Sequence, residues 1–91
     1  MSSLAAAVAE PQRASARFSV QARAEPGVLP RLLELYAKRG LVPRRWLSVA
    51  GGPEDRVLTI DIEIAGLDRE VIDYLAACMR QIVGVETVLA G

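Results

Sequence analysis

Leu58-Thr59-Ile60-Asp61-Ile62-Glu63-Ile64 is the stretch that decides the fold. Large apolar side chains at every second position, separated by Thr59, Asp61 and Glu63, give an extended segment one buried and one wet face, because successive side chains of a strand point to opposite sides. A sheet of such strands must cover its apolar face, and the flanking segments supply the cover. Downstream, Asp68 is placed to N-cap a helix with Ile72, Leu75, Met79 and Ile82 as its buried stripe, and Gly84 ends it. Val85 to Leu89 then makes a short last strand. Upstream, Gly51-Gly52-Pro53-Glu54-Asp55 is a turn cluster. Before it, Val42 to Ala50 reads as a strand whose Pro43, Arg44 and Arg45 suit an exposed sheet edge.

Nearer the N-terminus, Ala16, Phe18, Val20 and Ala22 alternate with Arg17, Ser19, Gln21 and Arg23, which predicts another half-buried strand. Glu25-Pro26-Gly27 breaks it, and Pro30 falls in a first helical turn, where a missing N–H costs nothing. Leu29, Leu32, Leu33 and Tyr36 share one helical face, Glu34 and Lys38 form an i,i+4 pair, and Gly40 stops the helix. Strand, helix, strand, strand, helix, strand with right-handed crossovers gives a ferredoxin-like βαββαβ sandwich of the α+β class. Its four-stranded antiparallel sheet carries both helices on one face. On the open face, Arg17 and Arg23 are expected near Asp61 and Glu63, as cross-strand pairs or simply as a solvated surface. Residues 1–14, rich in Ala, Ser, Pro and Gln, read as a disordered tail ahead of one domain over residues 15–91.

Composition narrows the functions. Ninety-one residues support one small domain, which would gain from a self-associating partner. Eleven basic and eleven acidic residues cancel, so the broad positive field of a nucleic-acid or anionic-membrane binder is missing. The run Leu4-Ala5-Ala6-Ala7-Val8-Ala9 is short for a signal core and no basic residue precedes it. No stretch approaches the roughly 20 apolar residues of a membrane span. A single cysteine, Cys78, forms no internal disulfide and fits a reducing cytoplasm.

The chain contains no histidine and no asparagine. Ser/His and Cys/His catalysis and Cys/His metal sites are thereby excluded, and so is the asparagine that orients water in acylphosphatase-like enzymes of this fold. The loop after the first strand lacks the Cys-x-x-Cys pair of metal chaperones, and the third strand lacks the aromatic residues on which RNA-recognition domains stack bases. Cys78 lies beside an apolar helical stripe, the setting of an inert thiol. Asp61 and Glu63 are flat, solvated carboxylates without the burial that tunes a catalytic pKa. The expectation is a protein with no catalytic residues, no metal and no cofactor.

One loop stands out: Ala24-Glu25-Pro26-Gly27-Val28-Leu29. A glycine turn at a helix N-terminus presents backbone N–H groups and a positive dipole end to an anion such as an amino-acid carboxylate. Gly27 and the N–H groups of Val28 and Leu29 are the expected carboxylate receptors, with Glu25 near the ammonium group.

Glu25-Pro26-Gly27-Val28-Leu29-x-Arg31, followed by Arg39-Gly40 at the helix end, resembles the ACT domain of acetolactate synthase small regulatory subunits, in the short one-domain form, over residues 16–89. The resemblance implies a non-catalytic regulator that dimerises, binds a branched-chain amino acid through this loop at the subunit interface, and controls a separate catalytic subunit of a biosynthetic enzyme. Effector-sensitive members usually carry an asparagine where this chain has Ala24, and the segment Pro43-Arg44-Arg45-Trp46 departs from the family pattern. The alternative is an effector-free interaction subunit that activates a larger enzyme. In either case Arg44, Arg45 and Trp46, on an edge strand, are the expected homodimer contacts.

Overall fold

The computed structural model describes residues 15–91, so the tail expected over residues 1–14 lies outside the described residues. Strands β1 (Ala16–Arg23), β2 (Arg45–Gly51), β3 (Val57–Ile64) and β4 (Val85–Ala90) alternate with helices α1 (Val28–Lys38) and α2 (Arg69–Arg80) in the order β1-α1-β2-β3-α2-β4. They form one antiparallel sheet in the order β2-β3-β1-β4, the expected ferredoxin-like arrangement. The two strands with the cleanest apolar alternation, β1 and β3, are central.

Alternation does the sorting. Phe18, Val20, Ala22, Ile60, Ile62 and Ile64 are all buried on the helix side of the sheet. Against them pack Val28, Leu32 and Tyr36 of α1 and Leu75, Ala76 and Met79 of α2. The α1 stripe is rotated from the expected one. Val28 is sealed while Leu29 is only partly covered and Leu33 is 48% exposed. Gly84 accommodates this, since its bare backbone leaves room for the Val28 side chain at the sheet end. Tyr36, fully buried, directs its hydroxyl to the Met79 thioether at 3.6 Å. Burial pushes that hydroxyl above the usual phenol range.

The second strand begins later than expected, at Arg45 rather than Val42. Val42 is 85% exposed and Pro43 has no N–H to give the ladder; pairing starts with the Arg44 N–H donating to the Glu63 carbonyl at 2.7 Å. The last strand runs one residue further than expected, to Ala90. Asp68 does occupy the N-cap position of α2, without a side-chain capping bond. No helix among the described residues is long and apolar enough to cross a membrane.

Candidate functional site

The loop between β1 and α1 sits where β1, β3 and β4 come together at one end of the sheet. The Arg23 N–H donates to the Gly84 carbonyl at 2.8 Å and the Ala24 N–H to the Arg56 carbonyl at 2.9 Å, fixing the loop's entry from both neighbours. A register shift between Gln21 and Ala22 in the β1–β4 ladder brings Gly84 over the loop. Gly84 has φ +98°, and a β-carbon there would stand 2.8 Å from Val28 Cγ2 and 3.2 Å from a Glu25 carboxylate oxygen. Both its conformation and its neighbours therefore demand glycine.

Within the loop the expected roles are redistributed. The Val28 N–H, expected to face a ligand, donates instead to the Glu25 carbonyl at 3.1 Å. Pro30 has no N–H, and the Arg31 N–H goes to the Gly27 carbonyl at 3.4 Å. Leu29 is left as the one N–H of the first turn without a main-chain partner among the described residues. Gly27 is right-handed, with φ −79°, so no left-handed turn explains it. What lies over it is the Arg31 guanidinium: a β-carbon on Gly27 would be 2.8 Å from Arg31 Nη1. Arg31 is exposed and has no ion-pair partner among the described residues. Ala24, Glu25 and Pro26 are exposed, Gly27 and Leu29 half-buried, and Val28 buried. Glu25 is held toward Arg23 at 3.3 Å.

The loop thus carries a carboxylate, Glu25, beside Arg23 and the Gly84 backbone, and a guanidinium, Arg31, folded back over the bare backbone of Gly27. Arg31 and Gly84 were not among the residues expected to form the site. The signal for Arg31 was present in its i,i+4 spacing from Gly27; that for Gly84 depended on a β4 register that sequence does not specify.

The expected dimer contacts point in different directions. Trp46 turns to the helix side, where its ring meets Tyr36 edge to face at 5.9 Å and its indole N–H donates to Ser48 Oγ at 2.9 Å. Arg44 reaches Ser15 Oγ at 3.2 Å. Arg45 lies on the open sheet face. There, at the end of the sheet remote from the loop, Arg17, Ser19, Arg45, Asp61, Glu63 and Leu89 surround a shallow depression of about 440 Å³. Of the expected cross-strand pairs, Arg17 and Glu63 face each other and pair at 3.8 Å. Arg23 instead stands opposite Val57 and pairs with Glu25, and Asp61 stands opposite Ser19. Cys78 is half-buried on α2. No cluster of metal-ligating side chains occurs among the described residues.

The two-layer βαββαβ sandwich, with its four-stranded sheet in the order β2-β3-β1-β4, is the ferredoxin-like fold. Comparisons carry the assignment further. The sequence matches the ACT-like domain family over residues 9–90, and the chain belongs to that family. Its structure is similar to the ACT domain of a GTP pyrophosphokinase from Chlorobium tepidum, at 17% identity and TM-score 0.71, over 85% of this chain and 96% of that one. It is also similar to the C-terminal domain of the MgtC protein from Mycobacterium tuberculosis, at 16% identity and TM-score 0.67, over 85% and 84% of the two chains. A third similar structure is the regulatory subunit of aspartate kinase from Thermus flavus, at 14% identity and TM-score 0.64. There the match covers 86% of this chain and 51% of that one. At these identities the structures establish the shared fold. A search of curated proteins gives no significant match.

Proposed function

We propose that this domain is a regulatory module that binds the zwitterionic end of a small amino acid at the β1–α1 loop and, as a homodimer, passes that signal to a metabolic enzyme. The observation that supports it is an exposed loop holding the Arg31 guanidinium over Gly27 and the Glu25 carboxylate near Gly84. A free amino acid presents an ammonium and a carboxylate on one carbon; Glu25 suits the first, and Arg31 with the Leu29 N–H suits the second. The resemblance to acetolactate synthase regulatory subunits makes valine, leucine and isoleucine the first candidates and a thiamine-dependent synthase subunit the first candidate partner.

Titration calorimetry and thermal melts with single amino acids test the reading. A true effector stabilises the folded form by about 2.7 kcal/mol at a hundred times its dissociation constant. Gly27→Asp gives the sharper control. The backbone there tolerates any residue, and the new carboxylate would pair with Arg31, filling the site from within. The variant is expected to melt within ~0.5 kcal/mol of the parent and to bind at least about tenfold more weakly. Undiminished binding would move the effector away from this loop.

A second reading is favoured by Ala24, which offers a ligand no polar side chain and whose N–H is already used by Arg56. On this reading the domain is an effector-free interaction subunit of a larger enzyme. Flat titrations with every amino acid would support it.

A further inference from the structure

The open face of the sheet differs from the rest of the surface. The helices turn mostly charge outward, through Arg31, Glu34 and Lys38 on α1 and Arg69, Glu70, Asp73 and Arg80 on α2, with Leu33 and Tyr74 the exposed apolar exceptions. The two middle rows of the sheet read Leu47-Asp61-Ser19-Leu89 and Val49-Thr59-Gln21-Thr87 across the four strands. Only one of those eight side chains, Asp61, is charged. Leu47, Val49 and Leu89 are 43%, 52% and 69% exposed. Depletion of charge with exposed aliphatic residues is the composition of an interface centre.

The charges that remain on this face are complementary to one another. Asp61 is exposed and has no ion-pair partner among the described residues. In the adjoining row Glu63 lies between Arg45 and Arg17 and pairs with Arg17, leaving Arg45 also without an ion-pair partner among the described residues. An unmatched cation and an unmatched anion on one patch are what a two-fold interface uses, because symmetry makes the same pair twice.

We propose that this face packs against the same face of a second copy of the chain, with Asp61 of each copy meeting Arg45 of the other. The inference rests on the homodimer of the reading above and assigns its surface. The alternative, continuation of the sheet through the β2 edge, would leave Leu47, Val49 and Leu89 of the open face uncovered. The Trp46 ring, packed against Tyr36, is already partly covered within its own domain.

Charge reversal tests the assignment without any effector. By sedimentation equilibrium at micromolar concentration the parent chain is expected to be a dimer. Asp61→Arg and Arg45→Asp should each weaken it about tenfold or more through two like-charge contacts. An equal mixture of the two variants should dimerise again, since every contact between unlike copies is then Asp against Arg. Leu89→Glu should weaken the dimer independently. Circular dichroism melts check folding, and Asp61→Asn with Arg45→Gln should show the same weakening, more mildly, if a reversed variant unfolds. A monomeric parent would overturn both the pairing and its surface. A dimer that ignores the substitutions, or variants that do not recover on mixing, would overturn the surface alone and leave the effector reading standing.

Discussion

On the helix side of the sheet Phe18, Val20, Ile60 and Ile62 keep 1% of their surface or less, whereas on the other side Leu47, Val49 and Leu89 keep between 43% and 69%. The same strands build both faces, and alternation assigns each side chain to one or the other with equal strictness. The difference lies in what covers them. Two helices are tied to the inner face by the chain itself, so its burial is intramolecular and holds at any concentration. Among the described residues nothing covers the outer face. Inner substitutions should therefore change folding, and outer ones association.

The largest expected effect separates the faces. Phe18→Ala empties a fully buried aromatic site and should lose about 3–5 kcal/mol in denaturant unfolding, while Gln21→Ala, on the same strand but facing out, should stay within ~0.5 kcal/mol. Similar losses at both positions would break the comparison.

Next in size is Gly84→Ala, at the seam where the inner face meets the candidate site. A left-handed backbone and a β-carbon 2.8 Å from Val28 Cγ2 combine to cost about 1–3 kcal/mol, measured by the same melts. The variant should also shift the loop that carries Glu25, so amino-acid binding should weaken in parallel. A fully stable variant would show that Val28 is free to move.

The smallest effect concerns Tyr36→Phe, which should change stability by less than ~1.5 kcal/mol at neutral pH but alter its pH dependence. The folded core holds the phenol neutral, with its titration displaced upward, while the unfolded chain ionises near the ordinary value of 10.0. Folding stability from this group is thus complete below about pH 10 and falls as pH rises from there toward the folded value, because the folded state then retains a proton the unfolded state has lost. Denaturant melts across the alkaline range should show a shallower decline for the phenylalanine variant than for the parent.

Much of the architecture was legible because it depends on local period. The alternation of Leu58 to Ile64, the turn residues around Gly52 and the helical spacing of Leu32 and Tyr36 each follow from backbone geometry alone. The candidate site was legible in part. Glu25-Pro26-Gly27 marked a strand-to-helix loop, but residue types did not show that the Val28 N–H donates to the loop's own Glu25 carbonyl. Competition for a donor within one turn is decided by torsion angles, and residue types leave them open.

The sequence by itself determined which residues of each strand share a face, where the chain turns, that charge is balanced and that histidine-dependent chemistry is out of reach. Tertiary structure alone decided that α1 rotates to bury Val28, that Gly84 closes over the loop, that Trp46 packs against the core and that Arg45 and Asp61 share one surface without ion-pair partners among the described residues. Periodicity fixes the direction of a side chain relative to its own backbone. Which neighbour it then meets depends on strand register and helix docking, and these are settled only when residues far apart in the chain compete for the same space.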